Sequence, residues 1–271
     1  MSGLWMEYEE SGRLLSKGSY HLDRQTGDWQ FWYLDGTDAS SGRYNQGQTV
    51  GVWKYYYESG KLQRICEYDT EGKEKILNSW APDGSVEVRD GKGHYRLYGD
   101  SSEVVLLEGA VSNGYRVRTW FSRYPGGSLK EEFLYRGEEM LVVSAWDPKG
   151  KQIVTNGFGD SVEYDSLGQK VFEAHYDNGK ISGVTTTYYP NGNIYQSTQF
   201  EEGKATGMVT TYYLSGQKEM EGMMDEGTQV GEWKWWHEDG KKQGDQLFWE
   251  YEELIKIEKY ENGELVETEL K

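Results

Sequence analysis

The phrase Gly-x-Trp-x-x-aromatic-x-x-x-Gly returns about every 24 residues, and no other feature of this chain restricts its fold as much. Gly3, Gly27 and Gly51 open the first three copies, with Trp5, Trp29 and Trp53 two residues on. Gly12, Gly36 and Gly60 follow, and Tyr20, Tyr44 and Tyr68 close the copies. Gly159, Gly183, Gly207 and Gly231 keep the same beat near the other end. A fixed period of this size marks a repeat architecture. Each unit then buries its rings against the next unit, not in one central core.

With the opening residue as position zero, units begin at Gly3, Gly27, Gly51, Lys75, Gly93, Arg118, Leu141, Gly159, Gly183, Gly207 and Gly231. The chain reads as one repeat domain over 1–271, with regular repeats at 3–74 and 159–254, an irregular middle at 75–158, and an acidic cap at 255–271. Two short units of 18 residues begin at Lys75 and Leu141. Trp80-Ala81-Pro82-Asp83-Gly84 resembles Trp146-Asp147-Pro148-Lys149-Gly150, and the pairs Gly91/Gly93 and Gly157/Gly159 follow, so a larger 66-residue echo overlies the 24-residue beat. Position five is aromatic in ten of eleven units (Tyr8, Trp32, Tyr56, Trp80, Tyr98, Trp146, Tyr164, Tyr188, Tyr212, Trp236), Arg123 being the exception. Position nine is glycine in all units but one, where Ser102 stands. Position seventeen is large and apolar in the regular units, through Phe200, Met224 and Phe248. Positions five and seventeen are therefore expected to form the stacking core.

Local chemistry reads as hairpins. Positions two to six alternate through β-favouring residues, as in Trp29-Gln30-Phe31-Trp32-Tyr33. Asp35-Gly36, Asp83-Gly84, Asn191-Gly192 and Asp239-Gly240 supply the pair that takes positive φ in a tight turn. Further glycines near position twenty (Gly47, Gly179, Gly203, Gly227) return the chain to the next unit. The expected fold is all-β: an elongated, twisted antiparallel sheet of tandem β-hairpins of about 24 residues each, on the order of 100 Å long at ~4.8 Å per strand. The tail from Trp249 to Lys271 reads as either a last strand pair or a short helix.

Composition narrows the function. A net charge of −17, from 46 acidic and 29 basic residues, repels phosphate backbones and anionic bilayers, which excludes nucleic acid as a partner. It reads either as a solvated surface or as an acidic face for a partner protein with a basic surface. One cysteine, Cys66, rules out an internal disulfide and a cysteine metal cage. No window has the apolar length of a membrane span. The lone cysteine fits a reducing compartment, and a cytoplasmic location is expected, with envelope or secreted as the alternatives if an export signal ahead of Gly3 was trimmed.

The consensus above resembles the MORN repeat, and more closely the bacterial MORN-variant repeat of the YwqK-type antitoxin family. The best matches are Gly51-Val52-Trp53-Lys54-Tyr55-Tyr56-Tyr57-Glu58-Ser59-Gly60-Lys61-Leu62 and Gly231-Glu232-Trp233-Lys234-Trp235-Trp236-His237-Glu238-Asp239-Gly240-Lys241. The resemblance weakens from Lys75 to Gly157, where the spacing breaks. It implies stacked antiparallel hairpins and a binding or scaffolding role, with antitoxin or immunity function as the most specific form. Cell-wall repeats of the choline-binding type share the Gly-Trp and Tyr-Tyr pairs and stand as an alternative, alongside a passive scaffold.

Catalytic constellations are absent from the sequence. His21, His94, His175 and His237 have no carboxylate or cysteine at ligand spacing, and the glycine pairs neither open a helix nor end in Lys-Ser/Thr. The expectation is a non-enzyme with no cofactor and no metal. On a strand, positions two, four and six share the face opposite position five. That face is rich in rings at both ends of the chain, which nominates Trp29, Phe31, Tyr33, Trp53, Tyr55, Tyr57, Trp233, Trp235 and His237 as a partner-binding surface. The competing reading is that the sheet curls and covers both faces.

Overall fold

The computed structural model describes residues 2–99, 104–165, 167–238, 241–243, 246–248, 253–261 and 264–270. Among them no helix occurs. Twenty-three strands take part in antiparallel sheet pairing, and Lys241–Gln243 with Gln246–Phe248 forms a separate two-stranded ribbon. The chain is all-β and built of tandem hairpins. It divides into two compact units, one of Met1–Ser128 with Leu134–Met140, the other of Leu129–Phe133 with Leu141–Lys271. Within each, consecutive strands pair: Gly3–Tyr8 with Leu14–His21, that strand with Arg24–Trp32, and so on. The tail is a strand pair, Glu253–Glu261 with Glu264–Leu270.

Opening glycines are required by conformation. Gly27, Gly51, Gly183 and Gly231 have φ of 71°, 66°, 75° and 66°, with open space where a Cβ would stand. Arg118 takes the same place in its unit at φ 60°, a left-handed non-glycine residue that marks the register through the irregular middle.

The two turns of each unit exchange the roles assigned to them from sequence. At Asp35-Gly36 only the glycine has positive φ (91°), and Tyr33 and Thr37 close a three-residue loop through Tyr33 N to Thr37 O at 2.9 Å. This is a type I turn followed by a bulged glycine, with the Asp35 carboxylate accepting from Thr37 N. The hydrogen bonds from Thr37 hold the Asp35 carboxyl below its ordinary range. The two-residue turns with both φ positive lie at the return instead: Gln46-Gly47, Asn178-Gly179, Glu202-Gly203 and Glu226-Gly227.

The core lies on the face of position two, a correction to the assignment of position five. Trp29, Trp53, Trp120 and Trp233 are fully buried, whereas Tyr8 and Tyr164 at position five are 53% and 47% exposed and the other described position-five rings are half-buried. The cause is a glycine that the period alone did not single out. Gly18, Gly42, Gly109 and Gly222 lie directly against these indoles, so a Cβ there would come within 2.1–2.3 Å of Trp29, Trp53, Trp120 and Trp233. Where the column narrows to Thr185 and Val209, the preceding hairpin offers Ala174 and Thr198 instead. Large faces nothing, and small faces small.

Each unit also holds one close turn cluster. Ile76 N donates to Gly114 O, Gly114 N to Gly91 O, and Gly91 N to Leu77 O in the first. Val142 N, Gly179 N and Gly157 N repeat this on Gly179 O, Gly157 O and Val143 O in the second. The short repeats thus draw three chain segments into backbone contact, which gives the 66-residue echo its physical content. A cluster of Val142, Ala145, Val154, Ala174 and Tyr176 packs beneath the second of them.

One further correction concerns Phe248. Gly231 pairs with Tyr260, not with a residue seventeen further on, because the ribbon interrupts the last unit. Tyr260 therefore holds position seventeen, 6.2 Å from Trp233. The Phe248 side chain, Ser102, the pair Asp239-Gly240 and Trp249 lie outside the described residues.

Candidate functional site

Of the nine nominated residues, Trp29, Trp53, Tyr57 and Trp233 are buried and Phe31, Tyr33, Tyr55 and Trp235 are half-buried. Tyr20, Trp29, Tyr44 and Trp53 form an edge-to-face ladder with centroids 5.3, 5.9 and 5.0 Å apart. Phe31 stacks on Trp29 at 5.7 Å and Tyr55 on Trp53 at 6.1 Å. Such pairs add about 0.5–1.5 kcal/mol each beyond area burial, so the ladder is a structural spine. The indoles of Trp29 and Trp53 donate to Ser19 O and Arg43 O. Tyr33 and Tyr57 donate to Tyr56 O and Trp80 O at 2.7 and 2.8 Å, and Tyr189 and Tyr213 repeat this on Tyr212 O and Trp236 O. Position six thus ties each hairpin to position five of the next. At the far end Trp235 lies 6.2 Å from Trp233 with Lys256 over its ring, and His237 is exposed. Trp29, Trp53, Tyr57 and Trp233, at 3, 2, 7 and 2% exposure, offer a partner little surface. Alternation names which residues share a face but not which face turns inward.

A groove of 870 Å³ lies in the first unit beside the returning turns, lined by Glu71, Lys73, Glu74, Tyr115, Arg116 and Tyr135 among others. Sequence reading missed it because it forms where the 24-residue spacing breaks. Lys73 stands over the Tyr115 ring at 5.0 Å and pairs with Glu138, which holds its ammonium protonated. Arg116 reaches Glu74 at 3.6 Å and the Tyr135 hydroxyl at 3.4 Å. Tyr68 donates to Glu74 at 3.0 Å, and its hydroxyl meets that of Tyr55 at 2.9 Å. The relay Tyr55–Tyr68–Glu74–Arg116–Tyr135 runs from the buried spine to the groove. Behind it Cys66 is fully buried, and burial pushes its thiol up to about 12, so it is no nucleophile at neutral pH.

A second charged cluster occupies the place where position five is not aromatic. Arg123 pairs with Glu108 at 2.7 Å, Glu108 also meets His94 at 3.1 Å and Arg96 at 3.4 Å, and Arg96 pairs with Glu87 at 3.2 Å. Burial pushes the Glu108 carboxyl up, but hydrogen bonds from His94 and Arg123 outweigh it and leave it below the ordinary range. Each acid is matched by a base, so the cluster replaces a ring as a packing element. Among the described residues no three His, Cys, Asp or Glu side chains gather at metal-binding distances.

No curated protein sequence matches the chain. Solved structures with a likeness to it include three crystal structures of a TcdB2–TccC3 assembly: one with TEV, one without its hypervariable C-terminal region, and one with Cdc42. Identities are 14, 12 and 14%, over 94, 95 and 96% of this chain. The chain spans only 16, 17 and 18% of theirs, and TM-scores of 0.21, 0.21 and 0.13 give the likeness no weight. The family described as the MORN repeat variant matches residues 49–70, 181–202 and 229–250, so three of the repeat units derived above are similar to MORN-variant repeats.

Proposed function

We propose that the chain is a non-catalytic repeat module that binds another protein, and that the partner docks in the groove beside Tyr115 and Arg116. The observation that supports this reading is the groove's mixed lining. Tyr115 is 41% exposed, and its neighbouring charges are held in the solvent-facing pair Lys73–Glu138 and the half-buried pair Arg116–Glu74. Exposed pairs of this kind contribute about 0–1 kcal/mol, so a partner can exchange them for its own charges at little cost. Antitoxin or immunity function, in which the bound partner is neutralised, is the most specific form of the proposal. The test is capture of partners from native lysate by the wild type and by the pair Tyr115→Ala/Arg116→Glu. Loss of a specific partner without loss of thermal stability supports the groove, and equal capture by both proteins refutes it. Growth rescue on co-expression with the captured partner separates an antitoxin from a scaffold.

A further inference from the structure

Each strand has two faces, and in the regular repeats the tryptophan core uses one of them. Trp29 and Trp53 lie inward against Gly18 and Gly42, so the residues between them in sequence point the other way: Asp28, Gln30, Ser41, Arg43 and Lys54. The size-matching of ring and glycine does not reach that outer face. Its counterparts in the second unit, Val184, Thr186, Met208 and Glu232, share neither size nor charge. In the first unit the outer face holds a groove of 480 Å³, where Ser19 and Ser41 keep the lining short between the long chains of Lys17, Arg43 and Lys54. All three cations are exposed, and none of their side chains has a carboxylate or hydrogen-bond partner among the described residues. Asp28 stands opposite Arg43 across its strand pair, yet the two form no ion pair. Elsewhere the chain matches its cations: Lys73, Arg96, Arg116, Arg123, Lys170 and Lys218 all hold carboxylates. Three unmatched cations against one carboxylate thus face a single groove in a chain of net charge −17.

The register sets the spacing of those charges. Lys17 pairs with Gln30, Gln30 with Ser41, and Ser41 with Lys54, so one row crosses four strands with a lysine at each end. At ~4.8 Å per strand, the backbones at the two ends lie about 14 Å apart. An extended peptide advances ~3.3 Å per residue and turns alternate side chains to one side, so carboxylates four residues apart span about 13 Å on that side. Such a segment laid across the strands meets Lys17 and Lys54 at its acids, and Gln30 and Ser41 between them. Arg43 lies in the neighbouring row, where its guanidinium can donate two N–H groups to a flanking carboxylate. The chain's remote carboxylates do not forbid this contact, because at ~0.15 M ionic strength the Debye length is only ~8 Å. We infer that the groove is a docking site for an extended acidic segment of a partner protein, read by Lys17, Arg43 and Lys54. It shares no residue with the groove beside Tyr115, and either site can fail without the other.

The probe is a labelled, end-capped peptide of about 12 residues with two glutamates four positions apart among serine and glycine. It is titrated into the full chain and followed by anisotropy and by amide chemical shifts. The expected dissociation constant is on the order of 0.1–1 mM, since exposed charge pairs each add little. Moving the second glutamate to a spacing of three turns it to the other side of the strand, and binding should weaken at least ~5-fold. Lys17→Gln/Lys54→Gln should weaken it about 10-fold, whereas Lys149→Gln/Lys151→Gln removes the same charge from the second unit and should leave it unchanged. All four side chains are exposed, so both double variants should keep the wild-type urea midpoint. No binding at about 10 mM peptide, equal binding of the two spacings, or equal weakening by the two lysine pairs overturns the site. Sedimentation with phosphatidylserine vesicles is the last arm. Vesicle binding that needs Lys17 and Lys54, without binding of the peptide, gives the groove to an anionic surface and overturns the acidic segment.

Discussion

Arg118 and Gly42 show how single positions carry the repeat. Arg118 is exposed, and its φ of 60° is the value that glycine supplies in the neighbouring units. A left-handed L-residue costs about 1–2 kcal/mol, and glycine's extra freedom in the unfolded chain returns part of any gain. Arg118→Gly is therefore expected to stabilise the protein by about 1 kcal/mol, read as a higher urea midpoint at unchanged slope. A lower midpoint would mean that the Arg118 side chain contributes more than its backbone costs. Gly42 is the opposite case. A methyl group there would come 2.1 Å from Trp53, so Gly42→Ala is expected to destabilise by about 1–3 kcal/mol. Trp53→Phe frees part of that space, and the double mutant should recover about 0.5–2 kcal/mol relative to the sum of the single changes. Strict additivity in that cycle would contradict the size-matching rule. This glycine was present in the sequence eleven residues before each buried tryptophan, at Gly18, Gly42, Gly109 and Gly222. It was the available sign of which face is inside, because a two-residue alternation is unchanged when the faces are exchanged.

At the scale of elements, hairpins and their order were readable from the chain, while turn types were not. Asp-Gly is compatible with both a two-residue and a three-residue loop, and the closing pair Tyr33/Thr37 decides for the latter. Tyr260 was hidden for a different reason: the ribbon moves it along the sequence without moving its place opposite Gly231. The groove beside Tyr115 was hidden because it depends on which turns meet, a long-range fact. The turn clusters themselves are testable. A Cβ on Gly157 would lie 2.5 Å from Gly179 N, and φ is 82°, so Gly157→Ala is opposed by both space and conformation. Of order 2–4 kcal/mol should be lost, and the loss should be local to the second unit. Hydrogen exchange is expected to speed at Val142 and Gly179 while Ile76 and Gly114 keep their protection. Equal loss at both clusters would show that the two units unfold as one.

For the molecule as a whole, tyrosines buried among tryptophans and aliphatic side chains predict sensitivity to alkali. Burial pushes the phenols of Tyr95 and Tyr98 in the first unit, and of Tyr176 in the second, up to about 12. At Tyr98 the hydrogen bond to Glu87 acts in the same direction, and at Tyr95 the Arg64 charge opposes burial without cancelling it. In the unfolded chain a tyrosine titrates near ~10, so between about pH 10 and 12 the unfolded state has released protons that the folded state still holds. Stability falls wherever the unfolded state binds fewer protons, and the tyrosines' contribution is therefore complete below pH ~10 and lost as pH rises through ~12. Each such tyrosine steepens the loss by up to about 1.4 kcal/mol per pH unit within that window. A denaturant midpoint followed from pH 8 to pH 12, together with phenolate absorbance, checks this. The midpoint should hold to about pH 10 and then drop, with phenolate appearing in step with unfolding. Phenolate formation in a chain that stays folded and keeps its midpoint would mean that water reaches these rings freely, and that the aromatic spine is not the core that holds the repeats together.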